Sequence, residues 1–226
     1  MTDYHCHILP RMDDGPKDVA VSLDMVRLMM AQGVDRIVAT PHFYAHREKS
    51  VYDWLERRKE AFQQIADTDM TLPYIHLGAE VAIEQGISRL PGIHLLTLAQ
   101  TPYILLELPY APFAHWMLEE IFDLSQRYGL TPVLAHVHRY TGFYSRAQMA
   151  EVLQADAVFQ INNEAFRTFR GRRFVRSLVR KGCPYLLGSD AHNMTSRRPD
   201  WDTLTRKVDP EILNHQEDIF SGKNAS

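Results

Sequence analysis

The chain has 226 residues, 45% hydrophobic and 23% charged, an ordinary globular composition with enough apolar side chain for a sizeable core. This excludes disorder, a fibrous repeat or a coiled coil for the whole chain, and a net charge of −3 offers no overall basic field for nucleic acid. Two cysteines, Cys6 and Cys183, cannot build a disulfide framework. No apolar run approaches the roughly 18 residues of a membrane span, and the opening MTDYHCHILP lacks the regions of a signal peptide. A cytoplasmic protein without membrane insertion is expected.

In chain order, Tyr4 to Ile8 reads as a short strand. Val19, Leu23, Val26 and Met30 recur at helical spacing, with Gly33 placed to cap the helix end. Arg36 to Thr40 is a buried strand and Val51 to Ile65 an amphipathic helix. Tyr74 to Ile83 and Tyr103 to Leu108 are strands, and Phe113 to Tyr128 is a helix ending at Gly129. Pro132 to Val137 is a strand, Arg146 to Leu153 a helix, Ala157 to Ile161 a strand, Arg172 to Lys181 a helix stopped by Gly182, and Tyr185 to Ser189 the last strand. A polar tail follows from about residue 200, with room for one more helix near Pro210 to Phe220. No linker or repeat interrupts the pattern, so one domain over 1–226 is expected. Alternation of strands with helices implies right-handed βαβ units and a parallel sheet, either a barrel or a doubly wound open sheet.

The strand ends carry the chemistry. Eleven histidines are an unusual number, and five of them fall at such ends. Strand one gives His5 and His7, with Asp14 in the following loop; strand two is followed by His42. Strand three carries Glu80, strand four Glu107 and strand five His136, while Asp190 and His192 follow strand seven. Parallel α/β folds build ligand sites at that rim. Residues two apart on a strand share a face, so His5 and His7 can bind one ion while Cys6 points away. A single histidine there is more simply a hydrogen-bonded structural residue, but nine aligned imidazoles and carboxylates are not. Without thiolate, the set suits Mn, Fe, Co or Zn. His46, His76, His94, His115 and His215 are read as ordinary; His138 is the one to watch.

The arrangement resembles the polymerase-and-histidinol-phosphatase (PHP) superfamily, and most closely its bacterial protein-tyrosine phosphatases of capsule and exopolysaccharide clusters, the CpsB/CapC-like family. The resemblance rests on His5-Cys6-His7-Ile8-Leu9-Pro10, Asp13-Asp14-Gly15-Pro16, Ala39-Thr40-Pro41-His42 and Leu77-Gly78-Ala79-Glu80. It continues through Leu106-Glu107-Leu108-Pro109, Ala135-His136, Gln160-Ile161-Asn162 and Ser189-Asp190-Ala191-His192-Asn193, from residue 3 to about 200. It implies a distorted (β/α)7 barrel holding three divalent ions, manganese foremost. His5, His7, Glu80 and Asp190 would form one site, with Glu80 bridging to a second completed by Glu107 and His136. Asp14, His42 and His192 would form the third. Arg139 and Arg197 match family arginines suited to phosphate oxygens, although a surface salt bridge is the plain alternative for each. Val137-His138 stands where the family has Pro-Glu.

The resemblance implies hydrolysis of a phosphomonoester by ion-activated water. The expected substrate is a phosphotyrosine protein, the tyrosine-rich tail of a bacterial tyrosine kinase. A cysteine phosphatase is excluded, since Met12 and Ser189 stand where its Cys-x5-Arg loop needs arginine. All six lysines fall in expected helices, loops or tail, which weakens an amidohydrolase using a strand lysine. A small-molecule phosphatase of the histidinol-phosphate type shares the chemistry, and a non-catalytic regulator of the kinase would not need the ligands. Phe43, Tyr44, Tyr110, Phe113, Tyr140, Phe143 and Tyr144 lie in loops after the strands, placed to stack on a substrate ring or, for most, to pack the loops down.

Overall fold

The strands that carry this rim are short and all parallel. The computed structural model describes residues 1–208 and 210–221, and the end of the polar tail lies outside those residues. Among them the strands are β1 (Thr2–Cys6), β2 (Arg36–Ala39), β3 (His42–Phe43), β4 (Tyr74–Leu77), β5 (Glu80–Ala82), β6 (Tyr103–Glu107), β7 (Thr131–Leu134), β8 (Val158–Asn162) and β9 (Tyr185–Gly188). The helices are α1 (Val19–Ala31), α2 (Val51–Ala66), α3 (Trp116–Tyr128), α4 (Arg146–Val152), α5 (Phe169–Arg180), α6 (Trp201–Lys207) and α7 (Pro210–Asn214). Their starts are chemically marked. Asp18 accepts from Val21 N at 3.0 Å, Ser50 from Asp53 N at 3.1 Å, and Ser145 with Gln148 forms a capping box. The end of α3 needs glycine, because Gly129 sits at φ +64°.

The ladders do not close into a barrel, so the expected distorted (β/α)7 barrel is not what they draw. They form a three-stranded sheet, β1-β2-β4, and a six-stranded sheet, β3-β5-β6-β7-β8-β9. Seven expected strands become nine because two of them change sheets. Beyond β2, Pro41 has no N–H to give a ladder, and the chain pairs again only at His42, now against Glu80. The expected strand from Tyr74 to Ile83 breaks at Gly78, where an added Cβ would lie 2.8 Å from Leu98 Cδ2 and 3.2 Å from Thr40 Cγ2. The sheets still meet at the site: Asp190 N donates to His5 O at 2.7 Å and His7 N to Ala191 O at 2.9 Å.

Alternation along the strands sorts the core into two layers. Ile104 and Leu106 of β6 join the larger cluster, which includes Met25, Met29, Trp54 and Leu124 from the helices. Leu105 instead packs with Tyr4, Val38, Val133, Val158 and Leu186, one from each of six strands spread over both sheets. Among the described residues no helix is long and apolar enough to cross a membrane.

Candidate metal centre

The nine side chains expected at the rim reach one place. His5, His7, Glu80 and Asp190 present His5 Nε2, His7 Nε2, Glu80 Oε2 and Asp190 Oδ1, all buried. The two imidazole nitrogens are 3.2 Å apart and stand 3.1 to 3.6 Å from the two oxygens. Donors about 2.0–2.2 Å from a common ion would sit roughly 3.3–3.6 Å from one another, so this group has the size an ion requires. A second group is His7, Asp14, His42 and His192, and a third is His42, Glu80 and Glu107. His136 joins through both acids of the third group, with Nε2 2.9 Å from Glu80 Oε1 and 3.4 Å from Glu107 Oε1. Relative to the expected partition, His7 also reaches the Asp14 group, and His42 also reaches Glu80.

Three histidines are fixed so that Nε2 faces the cluster. His5 Nδ1 lies 3.0 Å from Gln160 Oε1, His7 Nδ1 2.6 Å from Asp13 Oδ2, and His192 Nδ1 3.0 Å from the Asp190 carbonyl. All three partners only accept, so each Nδ1 carries a proton, and each ring in its neutral form would turn the Nε2 lone pair to an ion. Meanwhile His42 Nδ1, Glu80 Oε2 and His192 Nε2 are buried with no hydrogen-bond partner. His42 Nδ1 and Glu80 Oε2 are 3.1 Å apart without the alignment of a hydrogen bond. Buried polar atoms so arranged are costly unless a cation sits among them, so the residues present fit divalent ions.

Electrostatics carries the same mark. Burial opposes charge on His7, but the Asp13 carboxylate beside it prevails and raises its pKa well above the ordinary histidine value. Burial likewise opposes charge on His136, yet hydrogen bonds to Glu107 and Glu80 push it up to about 9. Burial alone would raise Asp190 and Glu80, but the charge of His5, with His7 or His42, holds both well below the usual carboxylate range. In the metal-free chain, protons on imidazoles supply the positive charge that the carboxylates demand.

Backbone geometry is spent on the same residues. His136 has φ +31° and Asp190 φ +51°, in a region non-glycine residues seldom occupy. Gln160 holds the first of these, accepting from His136 N at 2.7 Å. Its Nε2 donates to Asn162 Oδ1 at 2.9 Å, and Asn162 Nδ2 donates to Asp190 Oδ2 at 2.9 Å. At Gly188 an added Cβ would stand 2.7 Å from His5 Cβ and 2.9 Å from Gln160 Nε2, so only glycine lets β9 approach His5 this closely.

Both expected arginines line the cavity over the cluster, about 430 Å³ in volume. Arg139 Nε donates to Glu164 Oε1 at 2.6 Å, and its Nη1 is 2.8 Å from Asp190 Oδ2. Arg197 Nη2 donates to Asp190 Oδ1 at 2.9 Å and Nη1 to Asp14 Oδ2 at 3.3 Å. Each is therefore salt-bridged and at the cavity at once. Ala82, Ile83, Leu108 and Pro109, with Tyr44 and Tyr110, give the cavity an apolar wall. Of the other loop aromatics, Phe43, Tyr140 and Tyr144 are buried and pack the loops, whereas Phe143 is exposed.

Some residues of the site had no role in the sequence reading. Asp13, Gln160 and Asn162 support ligands rather than reach the cluster, and Glu164 anchors Arg139 and lies 3.3 Å from His138 Nε2. His138 thus meets a carboxylate supplied from the exit of β8. His46, read as ordinary, lines the cavity beside Glu84, with Nδ1 2.9 Å from Glu84 Oε1. Two amides at alternate positions of β8, otherwise apolar, were the available signal for Gln160 and Asn162.

The family model described as capsular polysaccharide synthesis, CpsB/CapC, matches residues 1–226. The chain belongs to the CpsB/CapC family. Among curated relatives, the tyrosine-protein phosphatase YwqE of Bacillus subtilis is 31% identical over 206 residues, covering 87% of this chain and 79% of YwqE. Tyrosine-protein phosphatase CpsB of Streptococcus pneumoniae is 29% identical over 219 residues, covering 88% of this chain and 86% of CpsB. A chain from the crystal structures of those two proteins, described as unique metal-dependent tyrosine phosphatases, aligns with a TM-score of 0.78 at 28% identity. That alignment covers 93% of this CpsB/CapC chain and 87% of the other.

Proposed function

We propose that this chain is a metal-dependent protein-tyrosine phosphatase. The observation that carries the reading is the three overlapping ligand groups lying under a cavity whose wall pairs two arginines with apolar and aromatic side chains. His5, His7, Glu80 and Asp190 would hold one ion, Glu80, Glu107 and His136 a second, and Asp14, His42 and His192 a third, with manganese the first metal to test. Divalent ions at such a centre polarise phosphoryl oxygens and lower the pKa of bound water. The rest falls to the chain's own residues. Arg139 and Arg197 are held at the cavity wall by Asp190, Glu164 and Asp14, and each keeps N–H donors beyond those bonds for phosphoryl oxygens. Tyr44, Tyr110, Ile83 and Pro109 line the space an aromatic ring would occupy. A phenolate, with a pKa of about 10, departs without a strong general acid.

The family's link to capsular polysaccharide synthesis supports a cytoplasmic phosphoprotein partner, the tyrosine-rich tail of a bacterial tyrosine kinase. The layer formed by Tyr4, Val38, Leu105, Val133, Val158 and Leu186 supports reading the two sheets as parts of one distorted, open (β/α)7 barrel. The test is turnover of a phosphotyrosine peptide, a phosphoserine peptide and histidinol phosphate by chelator-stripped protein with Mn added back. Restored turnover confined to phosphotyrosine is expected. Turnover of histidinol phosphate alone would move the function to metabolism, and no turnover with any metal would overturn the enzymatic reading.

A further inference from the structure

Two buried hydroxyl groups fasten the loop that leaves β6. Tyr140 Oη donates to the Leu108 carbonyl at 3.1 Å and Tyr144 Oη to the Pro109 carbonyl at 3.2 Å. Leu108 is itself buried, and the proline ring fixes φ at the next position. The two tyrosines are four residues apart, and their rings stack with centroids 5.6 Å apart. They belong to the segment after β7 that also carries His136 and Arg139. The residue this fastening positions is Tyr110, the next in the chain. Its side chain lines the cavity over the ligand cluster and is 46% accessible.

Tyr110 lies against that same segment. Its ring stacks on His136 with centroids 6.1 Å and planes 22° apart, and it meets Phe143 edge-on at 5.2 Å. Tyr110 Oη is 3.4 Å from His136 Nδ1, and the Arg139 guanidinium lies beside the same oxygen. His136 turns its other nitrogen, Nε2, to Glu80 and Glu107. A charged imidazole has a hydrogen on each nitrogen, and a neutral one with Nε2 open to an ion has its hydrogen on Nδ1. In both forms Nδ1 donates, and a guanidinium only donates. The Tyr110 oxygen is therefore the acceptor on that side, which leaves its own hydrogen to point into the cavity. A ring that merely covered His136 would need no hydroxyl, because phenylalanine covers the same area.

We infer that Tyr110 is a catalytic residue whose hydroxyl donates a hydrogen bond to a phosphoryl oxygen of the bound phosphomonoester, beside Arg139. The inference rests on the phosphatase reading of the site. Its nearness to Arg139 assigns the hydroxyl to phosphoryl oxygens rather than to the leaving oxygen, since one segment carries the cation and holds the loop that carries the hydroxyl. The proton stays on Tyr110 throughout. The group acts as a fixed dipole aimed at phosphoryl charge, of the kind that needs no reorganisation when the ester bond breaks.

The test compares the Mn-loaded wild type with Tyr110→Phe, which keeps the ring and removes only the hydroxyl. Affinity for inorganic phosphate is measured by calorimetry and Mn affinity by competition with a chelator. Values of kcat/KM are measured for a phosphotyrosine peptide and for aryl phosphates whose leaving groups differ in pKa. Loss of a hydrogen bond to a charged oxygen should weaken phosphate binding about 10-fold and lower kcat/KM by a similar factor, equal across the series, with Mn affinity kept within about 2-fold. Unchanged phosphate affinity in the variant would overturn the inference. So would a fall in kcat/KM that grows as the leaving group becomes poorer, which would put the hydroxyl on the leaving oxygen. Mn affinity lost in step with phosphate would also overturn it, by making Tyr110 a support for His136 alone. If the wild type binds phosphate but hydrolyses none of these esters, the phosphatase reading fails, and the two phosphate affinities still decide whether the hydroxyl holds a phosphoryl oxygen.

Discussion

Asp13 accepts three hydrogen bonds, and all three come from groups that can only donate there. Oδ2 takes His7 Nδ1 at 2.6 Å and His42 N at 2.9 Å, and Oδ1 takes Gly15 N at 2.9 Å. Asp13→Asn keeps the shape but offers one oxygen and one NH2, so at least one donor must face another donor. Losing the charge-assisted bond to His7 costs about 1.5–3 kcal/mol, and a stranded buried N–H about 1–3 kcal/mol more. We expect unfolding free energy in urea at pH 7, metal-free, to fall by about 3 kcal/mol. Because Asp13 also sets the His7 tautomer, Mn affinity should drop about 10- to 100-fold, measured by competition with a fluorescent chelator. The sign of the pH effect is fixed. Burial opposes charge on Asp13, but the His7 charge and hydrogen bond hold its pKa below the ordinary carboxylate range. Its contribution is therefore present above the unfolded value near 4 and disappears as pH falls through the folded one. The gap between wild type and variant should accordingly close only under strongly acidic conditions. A variant with wild-type stability and Mn affinity at pH 7 would refute the claim that Asp13 orients His7.

Gly188→Ala should cost about 1–3 kcal/mol in metal-free stability, since its Cβ meets backbone and Cβ atoms of His5 rather than a movable side-chain tip; thermal denaturation tests this, and an unchanged Tm contradicts it. His136 has its folded pKa raised to about 9, so its contribution is complete below the unfolded value near 6.5 and is lost as pH rises through 9. Metal-free protein should thus lose stability between about pH 7 and 9, while Mn affinity rises over the same interval as the ion stops competing with that proton, which calorimetry in buffers of different ionisation enthalpy would register. Glu164→Gln removes the carboxylate that holds Arg139 Nε at 2.6 Å. It should raise KM for phosphotyrosine peptide about 3- to 10-fold with Mn affinity preserved, and loss of Mn binding instead would mean that Glu164 acts on the metal site.

Period and position made much of this protein legible before any coordinates. Helix starts and stops near Val19, Val51, Gly129 and Gly182 follow local rules of capping and periodicity, and the strand ends fell where apolar runs give way to polar residues. The passage of two strands from one sheet to the other was not legible, because it depends on what lies across from Pro41 and Gly78. A break at Gly78 follows from Leu98 and Thr40 beside it, which sequence spacing does not bring together. The supporting residues escaped for a similar reason. Asp13 looks the same as Asp14 in sequence, yet one turns inward to His7 Nδ1 and the other reaches His192. Glu164 gains its meaning only through the turn that sets Arg139 against it. The resemblance supplied the Arg139 and Arg197 positions, which composition and spacing alone did not single out.

The location of the candidate centre has a mechanical side. His5 belongs to the three-stranded sheet and His7 follows it directly, whereas Glu80, Glu107 and the residues after β7 and β9 come from the six-stranded one. Ions held by both sets would act as bolts through the joint, reinforcing the two backbone bonds, Asp190 N to His5 O and His7 N to Ala191 O, that join the sheets there. Removing them would loosen that joint before any helix melts, and hydrogen exchange at His7 and Asp190, whose amides bond across it, would quicken first.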